Sequence, residues 1–554
     1  MKVSFRLRSS KSLSHFKPGH TAYRAANRRA FNHVERFHKR HASEIEDPVV
    51  LNEQTEGLID DISRAGCSLH NPDPALLKDY THPVDMSEFR KLGYEVVDWI
   101  SDYFTQQLST LPVKPNGIQP GYLPPLLEKE APEEPQPWSQ VFQDFKLKLL
   151  PGAVHWQHPL FFAYFPANTS APAMLADMLS GAINMIGFSW AAGPVSTELE
   201  MVMMDWLGKL CGIPEKFLHS SASGGGGVIQ GTASEASIVS ILAARAKIMK
   251  GRPEADKLRL VAYSSNQAHS AFKKACMIAD IDHVREIPAT SVHHFALQPE
   301  ALERVMQEDV DNGLLPFFVS VTIGTTSSCA VDPVKELAHV AGRHGAWTHV
   351  DAAYAGSAAI CPEFHQQYFS GLELVDSYSF NPHKWLLTNF DCSALWVADS
   401  APLKEAVSLT PVFLRGAGNA MDFKDWQMPL GRRFRALKLY FLLRMYGAES
   451  LRRYIRHHVA LAQYVADRVA EDPRFEIAAP TRFGLVCFRL RGVSNEMNMK
   501  LLNTINASGD IFLIHTELEG KVTIRMAIGS SSTQLVHVQQ GWLRIQEAAT
   551  EVLA

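Results

Sequence analysis

Long apolar runs are missing from this 554-residue sequence: none reaches the roughly 18 residues that a membrane-spanning helix needs. An excess of one charge sign is missing too. The 54 Lys and Arg nearly match the 58 Asp and Glu, and a net charge of −4 gives no general pull toward nucleic acid or an anionic membrane. Paired cysteines are absent. The seven are scattered without any C-x-x-C, which supports neither a metal site nor a disulfide framework. An odd number of thiols suits the reduced state of a cytosol-like compartment. No internal repeat is visible. What is present is 46% hydrophobic and 20% charged, ordinary for a globular chain and too long for a single core, so two or three domains are expected.

The first residues differ in kind. Residues 1–43 hold eleven Lys and Arg, several Ser and a single acid, Glu35. That composition fits an organelle transit peptide without the apolar centre of a secretory signal, and it also fits a disordered basic tail; both readings stay open beside a cytoplasmic location. Acids return at Glu44-Ile45-Glu46-Asp47, and a polar linker runs to about Thr81. From Asp85, the apolar residues Phe89, Leu92, Val96, Val97, Ile100 and Phe104 recur at helical spacing. Residues 119–125 are rich in Pro and Gly and break the pattern, and a second helix is expected over about 138–149.

Further on, buried-type strands alternate with helical patterns, at about 258–263, 317–323, 347–353, 377–380 and 392–397. That alternation implies an α/β fold with a mostly parallel sheet covered on both faces. The glycines at 224–227 precede a helix opening near Thr232-Ala233-Ser234-Glu235-Ala236. Small residues before a helix leave free N–H groups on its positive end, which suits a phosphate. No Gly-Lys-Ser/Thr follows, so this is not a P-loop.

One stretch organises the rest. Ser377-Tyr378-Ser379-Phe380 reads as a strand entering Asn381-Pro382-His383-Lys384-Trp385, and Pro382 ends it because proline cannot donate to a ladder. Lys384 then stands at a strand end, where ligands bind in α/β folds. Asp351, 33 residues upstream, ends another apolar strand. A lysine that can form a Schiff base and a carboxylate that can hold a pyridinium nitrogen are the two groups pyridoxal phosphate requires.

Asp351-Ala352-Ala353-Tyr354-Ala355-Gly356 followed by Asn381-Pro382-His383-Lys384-Trp385 resembles the group II pyridoxal-phosphate decarboxylases, in the branch of the aromatic L-amino-acid decarboxylases and aromatic aldehyde synthases. The likeness runs from about Pro83 to the C-terminus. It implies the PLP-dependent transferase fold of type I, with a large domain around a mostly parallel seven-stranded sheet and a small α+β C-terminal domain. The corresponding divisions are an extension over 1–82, a helical dimerisation segment over 83–168, the large domain over 169–445 and the small domain over 446–554.

The resemblance also implies site roles. Ala233 and Ser234 hold the cofactor phosphate, His269 stacks on the pyridine ring, and Thr326, Ala353, Ser377, Asn381 and His383 complete the cofactor site around Asp351 and Lys384. Trp156, Phe165, Pro166, Phe188 and Gly431 are the expected grip on an aromatic L-amino acid. Ala167 stands where animal relatives carry Thr, so one polar contact is expected to be missing. The implied assembly is a homodimer.

A departure lies in the loop 408–419, which Gly416 and Gly418 mark as flexible. Phe413 falls where the decarboxylases carry the Tyr that returns a proton to Cα, and a phenyl ring has no proton to give. Aldehyde synthases share this change while keeping the His at 269. The expected products are therefore an aromatic acetaldehyde, CO2, ammonia and hydrogen peroxide, with dioxygen as co-substrate. The alternatives are a plain decarboxylase forming the arylalkylamine, and an inactive scaffold, against which the retained Asp351 and Lys384 speak.

Overall fold

The strands form where β-branched and aromatic residues cluster. β1 is Gly226–Gln230, β2 Leu260–Ser265, β3 His283–Ile287, β4 Leu315–Thr322, β5 Trp347–Asp351, β6 Ser377–Phe380 and β7 Ser393–Val397. This is a computed structural model; it describes residues 84–115, 117–409 and 420–554, of which Asp85–Ala554 pack as one unit. The extension expected over 1–82, its basic 1–43 portion and the loop position Phe413 lie outside the described residues.

The seven strands pair in the order β1-β7-β6-β5-β4-β2-β3. β3, β2, β4, β5 and β6 are joined in parallel, and β7 is antiparallel to both β6 and β1. The sheet is thus mostly parallel, as the sequence predicts. Alternate residues feed two cores: Val261, Tyr263, Val319 and Val321 pack on one face, Leu260, Ala262 and Phe318 on the other. Both faces are covered, so these strands read as continuous apolar runs rather than as alternating ones. The helices Ser270–Ile278, Pro299–Asp311 and Val334–Arg343 connect successive parallel strands, as a parallel sheet requires.

β1 differs from the sequence expectation, which reads its glycines only as a loop before a helix. A Cβ on Gly227 would lie 2.6 Å from Met204 Cε and 2.7 Å from the Trp396 ring, so glycine allows the edge strand to sit this close. At the other end of the same strand the helix Ala233–Met249 opens, with Thr232 as N-cap accepting the N–H of Glu235. The strand expected at 258–263 begins at Leu260, because residues Glu254–Arg259 form a 3-10 turn.

A second, antiparallel sheet holds β8 Phe475–Ile477, β9 Leu485–Leu490, β10 Ile514–Leu518 and β11 Lys521–Ala527, in the order β10-β11-β9-β8. The long helix Ala436–Glu471, with Gly447 at φ 70° interrupting it, reaches from the first core to the second. The aromatic stretch 155–166 belongs largely to this second core. Phe161 and Phe162 are buried there, and Phe162 exchanges backbone bonds with Phe512 and Ala527. The helix predicted from Asp85 runs Met86–Asp102, capped by the Asp85 carboxylate. No helix of the described residues is long and apolar enough to cross a membrane.

Candidate cofactor and active site

Phe380 ends β6, Asn381 takes extended angles, and Pro382 opens a single helical turn, Pro382–Trp385, on which Lys384 rides. Lys384 Nζ makes no hydrogen bond or ion pair among the described residues. Burial lowers its pKa; the Asp351 charge opposes that shift, and the Arg525 charge adds to it. An amine held this way spends more time unprotonated, and only the unprotonated amine is a nucleophile.

Asp351 ends β5, opposite Ser379 of β6 and Thr322 of β4. One carboxylate oxygen accepts the N–H of Ala353 at 2.9 Å, which fixes the plane of the group. Asp351 and Lys384 face one cavity of about 240 Å³, lined also by Phe165, Ala233, Ser234, His269, Thr326, Ala353, Asn381 and His383. Two larger grooves, about 570 and 580 Å³, are open surface depressions among charged side chains and hold no comparable set.

Each lining group has an identifiable support. His269 caps the helix Ser270–Ile278, its Nδ1 accepting the N–H of Ala271 at 3.1 Å, so in the neutral ring the proton sits on Nε2. Burial lowers its pKa, with Lys384 adding to the shift and Asp351 opposing it. His383 Nδ1 accepts the N–H of Cys392 at 2.9 Å, and burial pushes its pKa down to about 3. Asn381 is tied by its side-chain oxygen to the Ser393 hydroxyl at 2.7 Å. Ala233 and Ser234 open the 17-residue helix behind β1, where first-turn N–H groups have no intrahelical partner.

These residues fit pyridoxal phosphate: a buried unpartnered lysine, a carboxylate opposite it, and a helix N-terminus for the phosphate, all on one cavity. Other expected site residues stand elsewhere. Ser377 accepts the Trp347 indole N–H and pairs with His349 Nδ1, both at 2.8 Å, inside the sheet rather than on the cavity wall. Of the expected substrate grip, Phe165 alone lines the cavity, stacked on Tyr354 with centroids 3.9 Å apart. Trp156 stacks on Tyr164, Pro166 packs against Gly529, the Phe188 carbonyl accepts the N–H of Lys424, and Gly431 is exposed.

Residues 120–491 match the model of the pyridoxal-dependent decarboxylase conserved domain. The chain is 47% identical to phenylacetaldehyde synthase of Arabidopsis thaliana, over 85% of this chain and 98% of that protein. It is 48% identical to aromatic-L-amino-acid decarboxylase of Bos taurus, over 85% and 98% of the two chains. The crystal structure of Oryza sativa TDC with PLP and tryptamine superposes with a TM-score of 0.83 at 40% identity, over 86% of this chain and all of that one. The chain belongs to the pyridoxal-dependent decarboxylase family. Within it the protein falls in the branch of aromatic-L-amino-acid decarboxylases and aldehyde synthases, and its cofactor is pyridoxal phosphate.

Two features of this decarboxylase-family site are absent from the sequence reading. Arg525 on β11 is 2% exposed, and its Nε and one Nη have no partner. Its guanidinium lies 5.0 Å from the Phe165 ring centroid, and Lys384 Nζ lies 5.7 Å from the same centroid. The available signal was a charged residue in the apolar run 522–527, at an inward position shared with Thr523. The second is a buried ion pair, Glu200 with Arg432, at 1% and 0% side-chain exposure. Glu200 also accepts the N–H of Ile229 at 2.7 Å, fastening the segment around Arg432 to β1. Its partners are 232 residues apart, and no local pattern marks such a pair.

Proposed function

We propose that this protein decarboxylates an aromatic L-amino acid and that Phe413, by supplying no proton, favours coupling this step to oxidative deamination by dioxygen, which gives the aromatic acetaldehyde in place of the amine. The overall balance is amino acid, dioxygen and water giving aldehyde, CO2, ammonia and hydrogen peroxide. The carrying observation is Lys384 and Asp351 on one buried cavity with the Ala233 helix N-terminus. When bound, pyridoxal phosphate supplies an aldehyde carbon for the amino nitrogen and a protonated ring that accepts the electron pair left by CO2.

The residues divide the remaining work. Lys384 would hold the cofactor's aldehyde carbon between turnovers, and burial, by lowering its pKa, favours the unprotonated amine that this needs. Asp351 keeps the pyridine nitrogen protonated by its charge. The N–H groups of Ala233 and Ser234 would hold the phosphate end, with Thr326 beside the cofactor. His269 presents Nε2–H to the cavity and stays neutral. Phe165 gives the cavity an apolar wall suited to an aryl side chain. Arg525 supplies a positive field beside Lys384, which favours a carboxylate over a neutral amine.

Phe413 supports the aldehyde reading because no hydroxyl returns a proton to Cα from that loop position, and Cα is left exposed to dioxygen. The plain decarboxylase is the second reading, favoured by the likeness to the Bos taurus decarboxylase. Borohydride reduction of the holoenzyme followed by peptide mapping is expected to tag Lys384; a tag on another lysine overturns the assignment. Amine, aldehyde and peroxide measured across Phe, Tyr, Dopa and Trp separate the two product readings and identify the substrate.

A further inference from the structure

In the four-residue turn Pro382–Trp385 the Pro382 carbonyl accepts the Leu386 N–H, while the Lys384 carbonyl is a last-turn carbonyl that needs a partner from outside the helix. The Lys384 carbonyl oxygen accepts the side-chain N–H of Asn168 at 2.8 Å. The same amide nitrogen donates to the Gly529 carbonyl at 2.8 Å, and the amide oxygen accepts the N–H of Ser531 at 3.1 Å. The Asn168 backbone N–H donates to the His383 carbonyl at 3.1 Å. Asn168 is 2% exposed, so water does not compete for these bonds. Gly529 lies four residues beyond Arg525, just past the end of β11.

We infer that Asn168 is a positioning residue that ties the Lys384 peptide to the end of the strand carrying Arg525. The tie fixes the amine-handling group against the positive charge beside it. The role of Arg525 here rests on the proposed function; the tie to Lys384 does not. An amide is needed, because two carbonyls require two N–H groups from one side chain while Ser531 requires an acceptor. Aspartate supplies only the acceptor and sets a negative oxygen against two carbonyls. Alanine supplies neither.

Asn168→Asp and Asn168→Ala are compared with Ser532→Ala, which removes a bond to the Gln157 carbonyl from the same loop without touching the Lys384 turn. The readouts are pyridoxal phosphate affinity on reconstitution of the cofactor-free protein, the pH midpoint of the holoenzyme's visible absorption, and KM against kcat. Both Asn168 variants are expected to weaken cofactor affinity, to move the midpoint and to lower kcat by up to about a hundredfold, as displacement of a reacting group by about 1 Å does. Ser532→Ala is expected to do neither. Should both variants fail to fold, Asn168→Gln keeps the amide but displaces it, and is expected to move the same readouts less far. Wild-type affinity and midpoint in a folded variant overturn the inference, even with a lowered Tm. Arg525→Met separates the two ideas: an unchanged KM there overturns the carboxylate role of Arg525 and leaves the Lys384 tie standing.

Discussion

At the scale of single residues, one oxygen atom is expected to select the product. Phe413 has no hydroxyl, and a positioned proton donor typically contributes about 10²–10⁴-fold to its step. Phe413→Tyr is therefore expected to turn the product from aldehyde to amine, with peroxide and ammonia falling together while CO2 release continues. Wild-type protein that yields stoichiometric amine without consuming oxygen defeats this reading. Lys384 shows the same economy of means. Burial frees its amine, and the nearby carboxylate of Asp351 restrains the shift without cancelling it.

At the scale of elements, the strands and helices carry several histidines kept neutral by burial. His349 on β5 is pushed down to about 4, and His383 and His458 to about 3. In the unfolded chain each takes its proton near 6.5. Between those values the unfolded chain binds more protons than the folded one, so stability rises with pH and is lost as pH falls below about 6.5. Each ring contributes at most about 1.4 kcal/mol per pH unit in that window. Asp332 runs the other way: its folded carboxyl is raised to about 6, so acid relieves part of its burial cost between about 4 and 6. One carboxyl against three rings does not reverse the sign. Tm is expected to fall steadily from pH 7 to pH 5, and a flat or rising profile contradicts this balance.

At the scale of the whole molecule, large apolar side chains remain uncovered on two helices. Met86 is 75% exposed and Phe89 49% on the helix Met86–Asp102, and Met178 is 50% and Ile183 57% on the helix Ala171–Ile183. Apolar surface left in water at this density marks an interface. We expect a second copy of the chain to cover it. Sedimentation at micromolar concentration is expected to give a dimer; a fully active monomer rules that out.

The sequence by itself determined five of the sheet's seven strands, all but β1 and β3, its mostly parallel character and the Lys384–Asp351 pair. Buried runs such as Phe317-Phe318-Val319 and the break at Pro382 are local signals, dictated by side-chain hydropathy and by proline's missing N–H. The glycines of β1 read as a loop, since what makes them a strand is the close approach of Met204 and Trp396. Likewise, only the tertiary structure turned the Ser377 side chain onto Trp347 and His349 and left Trp156, Phe188 and Gly431 off the cavity wall, because composition shows that a segment is aromatic but not which side of it faces inward. Arg525, Asn168 and the Glu200–Arg432 pair were decided by contacts across 216 to 361 residues of chain. A polar side chain becomes a clamp or a charge reservoir only when folding takes its water away, and no stretch of sequence records how dry a position will be.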